Sequence, residues 1–514
     1  MKFLRLIVGA LMLLTLSKLS AQAPDPYRDL YNEHCAACHG QNMEGSAHAS
    51  RLVGAELKHG KELQDLKRGI GKGYTASGMP AYEEMLTEGE INGIAIYISE
   101  KRKAFSMNDY KVNQELQIPK EIFQSEKLDF RLKTMIKDLD PWPYSIAPLP
   151  DGGFLLSEKM RGLSIISPEM EQSKLIEGLP DFSSKDEAFT DSVGLVYGLG
   201  YILDVALHPD YEENRWVYIS YGDRCKKCNN LSRYYYDGYV SMLRIIRGRI
   251  KDHQWVDEEV IWEVEKDLYT PSAETTMGGR LAFDGKGYLY FSMGAKLYLP
   301  HTPSTVESFN GIQKLDKPYG KIYRIHDDGR IPEDNPFIEE KDAIESIWTL
   351  GHRSPQGLEF DVETAALWGT EMGPRGGDEV NFLEKGLNYG WPLVSKGVNY
   401  TGTSVDFGKF MKMDPDEMEL VDPVVDLTPS PAVSSFAICR SDKYSAWDGN
   451  LIVGTLKATQ LYRMKVKDGT LIHQEMLLDE LARIRDVEMG FDGYIYLLLE
   501  HVNGGMILRL EAVD

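Results

Sequence analysis

Apolar residues fall into three successive rhythms along the chain. The first is a continuous apolar run from Leu6 to Leu16 behind the basic start Met1-Lys2-Phe3-Leu4-Arg5. It is too short to span a bilayer, and it ends in the small residues Ser20-Ala21-Gln22-Ala23. That pattern predicts a cleavable export signal over residues 1–23 and a periplasmic or otherwise exported protein. The second rhythm is helical: Leu86, Ile91, Ile94 and Ile98 recur at helical spacing before the charged end Ser99-Glu100-Lys101-Arg102-Lys103, which predicts a helix with one apolar face. After Arg102 the helical pattern stops, and a polar linker over residues 106–127 is expected. From residue 128 to 514 the pattern is β. Short apolar and aromatic strands follow Asp-Gly turns, as in Asp151-Gly152-Gly153-Phe154-Leu155-Leu156, Asp284-Gly285-Lys286-Gly287-Tyr288-Leu289 and Asp492-Gly493-Tyr494-Ile495-Tyr496, the signature of hairpins. Later strands carry a basic residue near their ends (Tyr323-Arg324, Tyr462-Arg463, Leu508-Arg509). At about 40–65 residues per repeat this stretch makes about six blades of an all-β propeller.

Composition narrows the function classes. The chain has 514 residues and carries 57 Lys+Arg against 79 Asp+Glu, a formal charge of −22; phosphate recognition needs a basic footprint, so a nucleic-acid partner is excluded. With 28 Tyr, 17 Phe and 8 Trp the chain has ample area for packed cores, unlike disordered sequences. No segment after the leader has the length of a membrane span.

Chemistry enters at Cys35-Ala36-Ala37-Cys38-His39. In this C-x-x-C-H run two thiols are spaced to reach the haem vinyl groups, and the adjacent imidazole falls beneath the iron. A zinc site would want a second cysteine or histidine pair nearby, and a thioredoxin-like pair a preceding strand; neither context is present. The second axial ligand is expected at Met79, on the loop Ser77-Gly78-Met79-Pro80, ahead of Met43, Met85 and His48. Residues 24–105 resemble a class I cytochrome c domain, a small all-α unit carrying haem c. The resemblance implies His39/Met79 ligation, which suits electron transfer to a downstream redox partner.

A second resemblance covers about residue 130 to the end. Gly351-His352-Arg353-Ser354-Pro355-Gln356-Gly357-Leu358, Leu207-His208-Pro209-Asp210, His301-Thr302-Pro303, Glu371-Met372-Gly373-Pro374, Asn388-Tyr389-Gly390-Trp391-Pro392 and Arg483-Ile484-Arg485-Asp486 are similar to segments of the soluble glucose/sorbosone dehydrogenases that depend on pyrroloquinoline quinone (PQQ). The resemblance implies PQQ contacts at Arg353, Lys457, Arg483 and Arg485, and calcium ligands at the Gly373 and Pro374 carbonyls. It also places Glu379 near a second, structural calcium. PQQ carries three carboxylates and an ortho-quinone, so fixed cations and a divalent metal suit it. The substrate class implied is a sugar or related alcohol or aldehyde.

Departures from that family concentrate in one pocket. Its base, a histidine in H-x-G-G-R-L, is Thr276 in Thr276-Met277-Gly278-Gly279-Arg280-Leu281; its supporting aspartate is Ala295, and its glutamine ahead of H-P-D is Leu199. A threonine hydroxyl is no general base near neutral pH, and losing one costs about 10²–10⁴-fold in rate. Glu274 and His301 are the candidate replacements, and the catalytic residue stays open. Cys225-Lys226-Lys227-Cys228 is followed by Asn229 rather than histidine, so a loop disulfide is expected there in an exported protein, with Cys439 a buried small residue. Two readings follow: a quinohaemoprotein sugar dehydrogenase passing electrons to its fused haem, or an electron carrier whose propeller is catalytically silent.

Overall fold

The computed structural model describes residues 25–104, 116–182, 189–190, 196–233, 238–272, 277–296, 311–400, 405 and 407–513. The leader (residues 1–23), Glu274, Thr276 and His301 lie outside the described residues.

The N-terminal part is helical. Helix α1 (Pro26–His34) starts where the Asp25 carboxylate accepts hydrogen bonds from the Tyr27 and Arg28 N–H groups, with Pro26 in the first turn, a start in which the missing proline N–H costs nothing. Helix α2 (Ala36–His39) follows at once, and α3 spans Leu63–Lys72. The expected closing helix is α4 (Glu88–Arg102), fixed at its start by a reciprocal capping box between Thr87 and Glu90. Its run Gly93–Glu100 is buried without a break. One apolar stripe does not account for that; α4 is covered on two sides. Ile91, Ile94 and Ile98 pack with Tyr27, Tyr31, Leu66 and Ile70 in the helical core.

The β part forms six four-stranded antiparallel sheets, each a blade. The first strand of each, at Pro143–Pro148, Ile202–Leu207, Gly278–Phe283, Pro355–Asp361, Val433–Ile438 and Arg483–Met489, packs against the matching strand of the next blade, and the last returns to the first. The expected six-bladed propeller is therefore the observed fold. Ring closure is made by the first and last strands of the β part: Phe130–Leu139 pairs antiparallel with Gly505–Ala512, Phe130 opposite Ala512 and Leu132 opposite Leu510. The first strand of the β part is thus the outer strand of the last blade, which closes the ring.

Charged side chains on the inner strands tie blades together. Asp486 accepts from the Ile146 N–H at 2.9 Å and Asp204 from the Leu281 N–H at 2.8 Å. Between them Arg280 donates to Asp486 at 2.8 Å and to the Gln356 carbonyl at 2.8 Å. All three charged groups are buried, so removing the cation leaves two carboxylates without their counter-ion. Arg280→Met is expected to destabilise the propeller by about 3–5 kcal/mol, read as a fall in denaturant midpoint without change in slope.

Cys225 and Cys228 are joined as a disulfide, with Cα atoms 5.9 Å apart, and Cys439 is buried in the core between the last two blades.

Candidate functional site

One cavity and one buried cluster of charged side chains carry chemistry. In the helical part, α1 runs into α2 with the Cys35 N–H donating to the Tyr31 carbonyl at 2.8 Å. This nearly continuous turn sets Cys35, Cys38 and His39 along one wall of a cavity of about 370 Å³, with Tyr74, Met79 and Ile98 among its other lining residues. His39 Nδ1 lies 2.9 Å from the Ser50 carbonyl. Donation there fixes the tautomer and leaves Nε2 to bind a metal. Met79 is presented by a tight loop in which the Tyr74 N–H donates to the Met79 carbonyl at 2.9 Å and the Met79 N–H returns to Tyr74 at 3.2 Å. Gly73 is required here: its φ is +66°, and a Cβ would lie 2.5 Å from the Pro80 carbonyl. Met43 is buried in the helical core and Met85 is 62% exposed, so neither competes with Met79; His48 does reach the cavity. Two unjoined thiols, one oriented imidazole and one thioether around an apolar space fit a covalently attached haem.

The second assembly lies at the end of the propeller where inner strands begin and second strands finish. Arg483 and Arg485 open one inner strand, Glu500 closes its neighbour, and Lys159 sits in the turn after Phe154–Glu158. Lys159 Nζ is 2.5 Å, Arg483 Nε 3.1 Å and Arg485 Nη2 2.9 Å from the Glu500 carboxylate. Three cations thus share one carboxylate that is 1% exposed. Despite its burial, Arg485, Lys159 and Arg483 hold Glu500 well below the usual carboxylate range. Burial and the Arg485 guanidinium push Lys159 down from 10.5 to about 8, with Glu500 opposing. Cations gathered in this way at one end of the propeller suit an anionic ligand.

The lowered Lys159 value has a pH signature. The folded lysine value lies below the unfolded one, so the unfolded chain holds more protons between about 8 and 10.5. Stability of the ligand-free protein therefore rises with pH through that window. Binding of a polycarboxylate runs the other way: affinity is flat below pH 8, where Lys159 is already charged, and falls by up to about tenfold per unit above it. Titrating the dissociation constant against pH checks this, and Lys159→Met removes the upper limb.

Arg353 is aimed by the motif around it. His352 is buried between Thr349 Oγ1 at 2.8 Å and Glu371 at 2.9 Å, and Glu371 also accepts from the Arg353 N–H. The Arg353 guanidinium donates to the carbonyls of Met372 at 2.9 Å and Gly373 at 2.7 Å; its Nε has no hydrogen-bond partner among the described residues. The Gly373 carbonyl, expected as a calcium ligand, is thus already taken by a cation, and calcium there would require Arg353 to turn away. Pro374 O is 3.5 Å from Ser430 Oγ. Glu379 is held well above the usual carboxylate range by burial and by Glu371, with Asp426 adding to it, an acidic neighbourhood suited to a cation. Lys457 is pushed down by burial, which Glu100 and Asp378 partly offset.

At the departures, Ala295 is fully buried and its N–H donates to the Arg353 carbonyl at 2.8 Å, while Leu199 is fully buried. Apolar groups occupy both positions. Sequence reasoning missed Lys159 and Glu500, which lie far from the recognised motifs in sequence, and Arg375, whose partners lie in the helical part. A signal for the second covered face of α4, though not for Arg375 itself, was present: Ile94-Ala95-Ile96-Tyr97-Ile98 is apolar beyond one helix face.

Comparison with known proteins agrees with both halves. The family described as Glucose / Sorbosone dehydrogenase matches residues 140–509, and that described as Cytochrome C oxidase, cbb3-type, subunit III matches residues 22–98. The chain is 34% identical over 380 residues to aldose sugar dehydrogenase YliI of Escherichia coli K12, covering 73% of this chain and 91% of that protein. It is 29% identical over 313 residues to quinoprotein glucose dehydrogenase B of Acinetobacter calcoaceticus, covering 57% and 60% respectively. The crystal structure of the soluble aldose sugar dehydrogenase from Escherichia coli in its apo-form superimposes with a TM-score of 0.60 at 32% identity, covering 75% of this chain and all of that one. On this combination of blades, motifs and similarity, the chain belongs to the glucose/sorbosone dehydrogenase family and carries a cytochrome c domain on the N-terminal side of its propeller.

Proposed function

We propose that the protein is an exported quinohaemoprotein that oxidises a sugar or related alcohol or aldehyde at the propeller and passes electrons through its own haem to a downstream redox partner. The observation that carries this reading is the buried group Lys159, Arg483 and Arg485 around a single carboxylate, Glu500, at the end of the propeller that also holds Arg353. Relatives named an aldose sugar dehydrogenase and a quinoprotein glucose dehydrogenase support it.

Bound PQQ would supply a two-electron acceptor and haem c a one-electron relay. Within the propeller, Arg483, Arg485 and Lys159 would hold carboxylates of the ligand, and Lys457 would add a fourth cation. Arg353, fixed at its backbone by Glu371, would turn its guanidinium from the Gly373 carbonyl to the ligand's polar edge and so free Gly373, with Pro374, for calcium; Glu379 would hold a structural calcium. In the helical part Cys35 and Cys38 would attach the haem, and His39 and Met79 would ligate its iron. The base that accepts the substrate proton stays open, with Glu274 and His301 as the candidates.

A second reading, an electron carrier with a silent propeller, is favoured by the apolar groups at Ala295 and Leu199 and by Thr276 at the base position. Equilibrium binding separates the two. Haem-loaded protein with calcium is expected to take up one PQQ per chain, and Arg485→Met to weaken that binding by about 10–100-fold, the worth of a charge-assisted contact. Absence of measurable PQQ binding would favour the silent propeller.

A further inference from the structure

Helix α4 has two covered faces, and the second one meets the propeller. On the haem side Ile98 lines the cavity. On the opposite side Glu100 reaches Arg375, which lies one residue beyond Pro374 on the propeller loop. Arg375 donates to Glu100 through Nε at 3.2 Å and Nη2 at 2.7 Å, and to Asp25 through Nη1 at 2.6 Å and Nη2 at 3.1 Å. Its side chain is 1% exposed. The guanidinium also stands 5.1 Å from the Tyr27 ring and 5.8 Å from the Tyr97 ring. Asp25 is at the same time the cap of α1, so one carboxylate fixes the start of the cytochrome fold and its docking. Around this centre Tyr27 donates to the Asn399 carbonyl at 3.1 Å, and Val398 packs into the helical core. Gly376 approaches so closely that a Cβ would lie 3.0 Å from Ile96 Cδ1. Arg375 itself is pinned by paired backbone bonds with Val398, at 3.1 and 2.9 Å.

Such contacts are not those of a loosely tethered domain. Two buried carboxylates matched to one bidentate cation hold an orientation, and removing either partner leaves an uncompensated buried charge. The loop being gripped also carries Gly373, whose carbonyl engages Arg353. Burial pushes Lys457, expected as a PQQ contact, down, and the charge of Glu100 in the cytochrome domain opposes that. The haem cavity and the pocket loop are therefore separated by the thickness of one helix, about 10–12 Å.

We propose that α4 is the electron bridge between the two centres, and that Arg375 is the positioning residue that holds it in register by clamping Asp25 and Glu100. This rests on the quinohaemoprotein reading. The reduced quinone gives up two electrons and two protons; one electron at a time crosses to ferric haem, which an external one-electron acceptor re-oxidises between transfers, and the protons leave to solvent. A fixed, short path makes the internal transfer independent of diffusion.

The test uses the full, haem-loaded chain, wild type against Arg375→Gln and against the double variant Asp25→Asn/Glu100→Gln, which removes the charges from the other side and keeps the polar groups. Two readouts are taken. Small-angle scattering with hydrogen exchange at α4, without PQQ, reports docking. Single-turnover haem reduction after mixing PQQ-loaded protein with sugar reports the internal transfer, with an artificial acceptor that takes electrons from the propeller as the control. Expected are a larger radius and faster α4 exchange in the variants, with haem reduction slowed about 10-fold or more while the artificial-acceptor rate and the reduced-haem spectrum are unchanged. Unchanged scattering and exchange in both variants would overturn the clamp. Loosened docking with an unchanged haem-reduction rate would overturn the bridge. Failure of sugar to reduce haem in the wild type, with normal docking, would instead reject the parent reading and the bridge with it, leaving the clamp established by scattering alone.

Discussion

Replacing both Cys35 and Cys38 by alanine is expected to abolish covalent haem attachment and, with it, every trace of sugar-driven haem reduction. The two thiols flank His39 on one cavity wall, and no other unjoined cysteine lies at the cavity among the described residues, since Cys439 is buried between two blades. Denaturing gel electrophoresis with a peroxidase stain for haem checks this: the wild type stains and the double variant does not. Met79→Ala is the graded companion. The haem stays attached, His39 remains oriented by Ser50 at 2.9 Å, and the potential falls because the thioether that favours the ferrous state is gone. Equal staining in the double variant would contradict the assignment of the cavity.

Restoring the family's acid–base pair is expected to have the next largest effect, in the opposite direction. With Thr276→His and Ala295→Asp together, sugar turnover measured with an artificial acceptor is expected to rise by about 10²–10⁴-fold, the usual contribution of a positioned base. Both substitutions are needed: an imidazole without its orienting carboxylate samples the wrong tautomer and rotamer. Position 295 is fully buried and backbone-bonded to Arg353, so Ala295→Asp alone buries an unpaired carboxylate and is expected to cost stability without raising activity. A native base at Glu274 or His301 predicts a different pattern. Glu274→Gln or His301→Ala would then lower the native rate, and the restored pair would add little. Steady-state rates across the four variants separate the cases.

Much of the architecture was legible because local rules and global fold agree. Asp-Gly turns between alternating strands gave the blades, and the C-x-x-C-H run needs no tertiary coincidence to place two thiols and an imidazole together. Other features were hidden by their dependence on distance along the chain. Glu500 collects Lys159 from a turn hundreds of residues earlier, a juxtaposition that exists only once the ring closes through Phe130–Leu139 on Gly505–Ala512. The same holds for Arg375, which reads as an ordinary surface arginine until Asp25 and Glu100 are brought against it. Helix α4 shows how a partial signal misleads: the expected stripe of Leu86, just before the helix, and Ile91, Ile94 and Ile98 accounts for the side packed in the helical core, whereas Ile96 and Tyr97, off that stripe, also face a second interface. Calcium at Gly373 was suggested by resemblance, and the carbonyl is found in the grip of Arg353; spacing along a loop does not reveal which neighbour claims an oxygen.

The most direct test of the central claim is anaerobic reduction of the haem in the full-length, haem-loaded protein, followed at the reduced-haem absorption band while PQQ, calcium and an aldose are added singly and together. The account predicts reduction only when PQQ and sugar are both present. Reduction by dithionite alone, with no response to any aldose or aldehyde in the presence of bound PQQ, would contradict it and leave an electron carrier with a silent propeller.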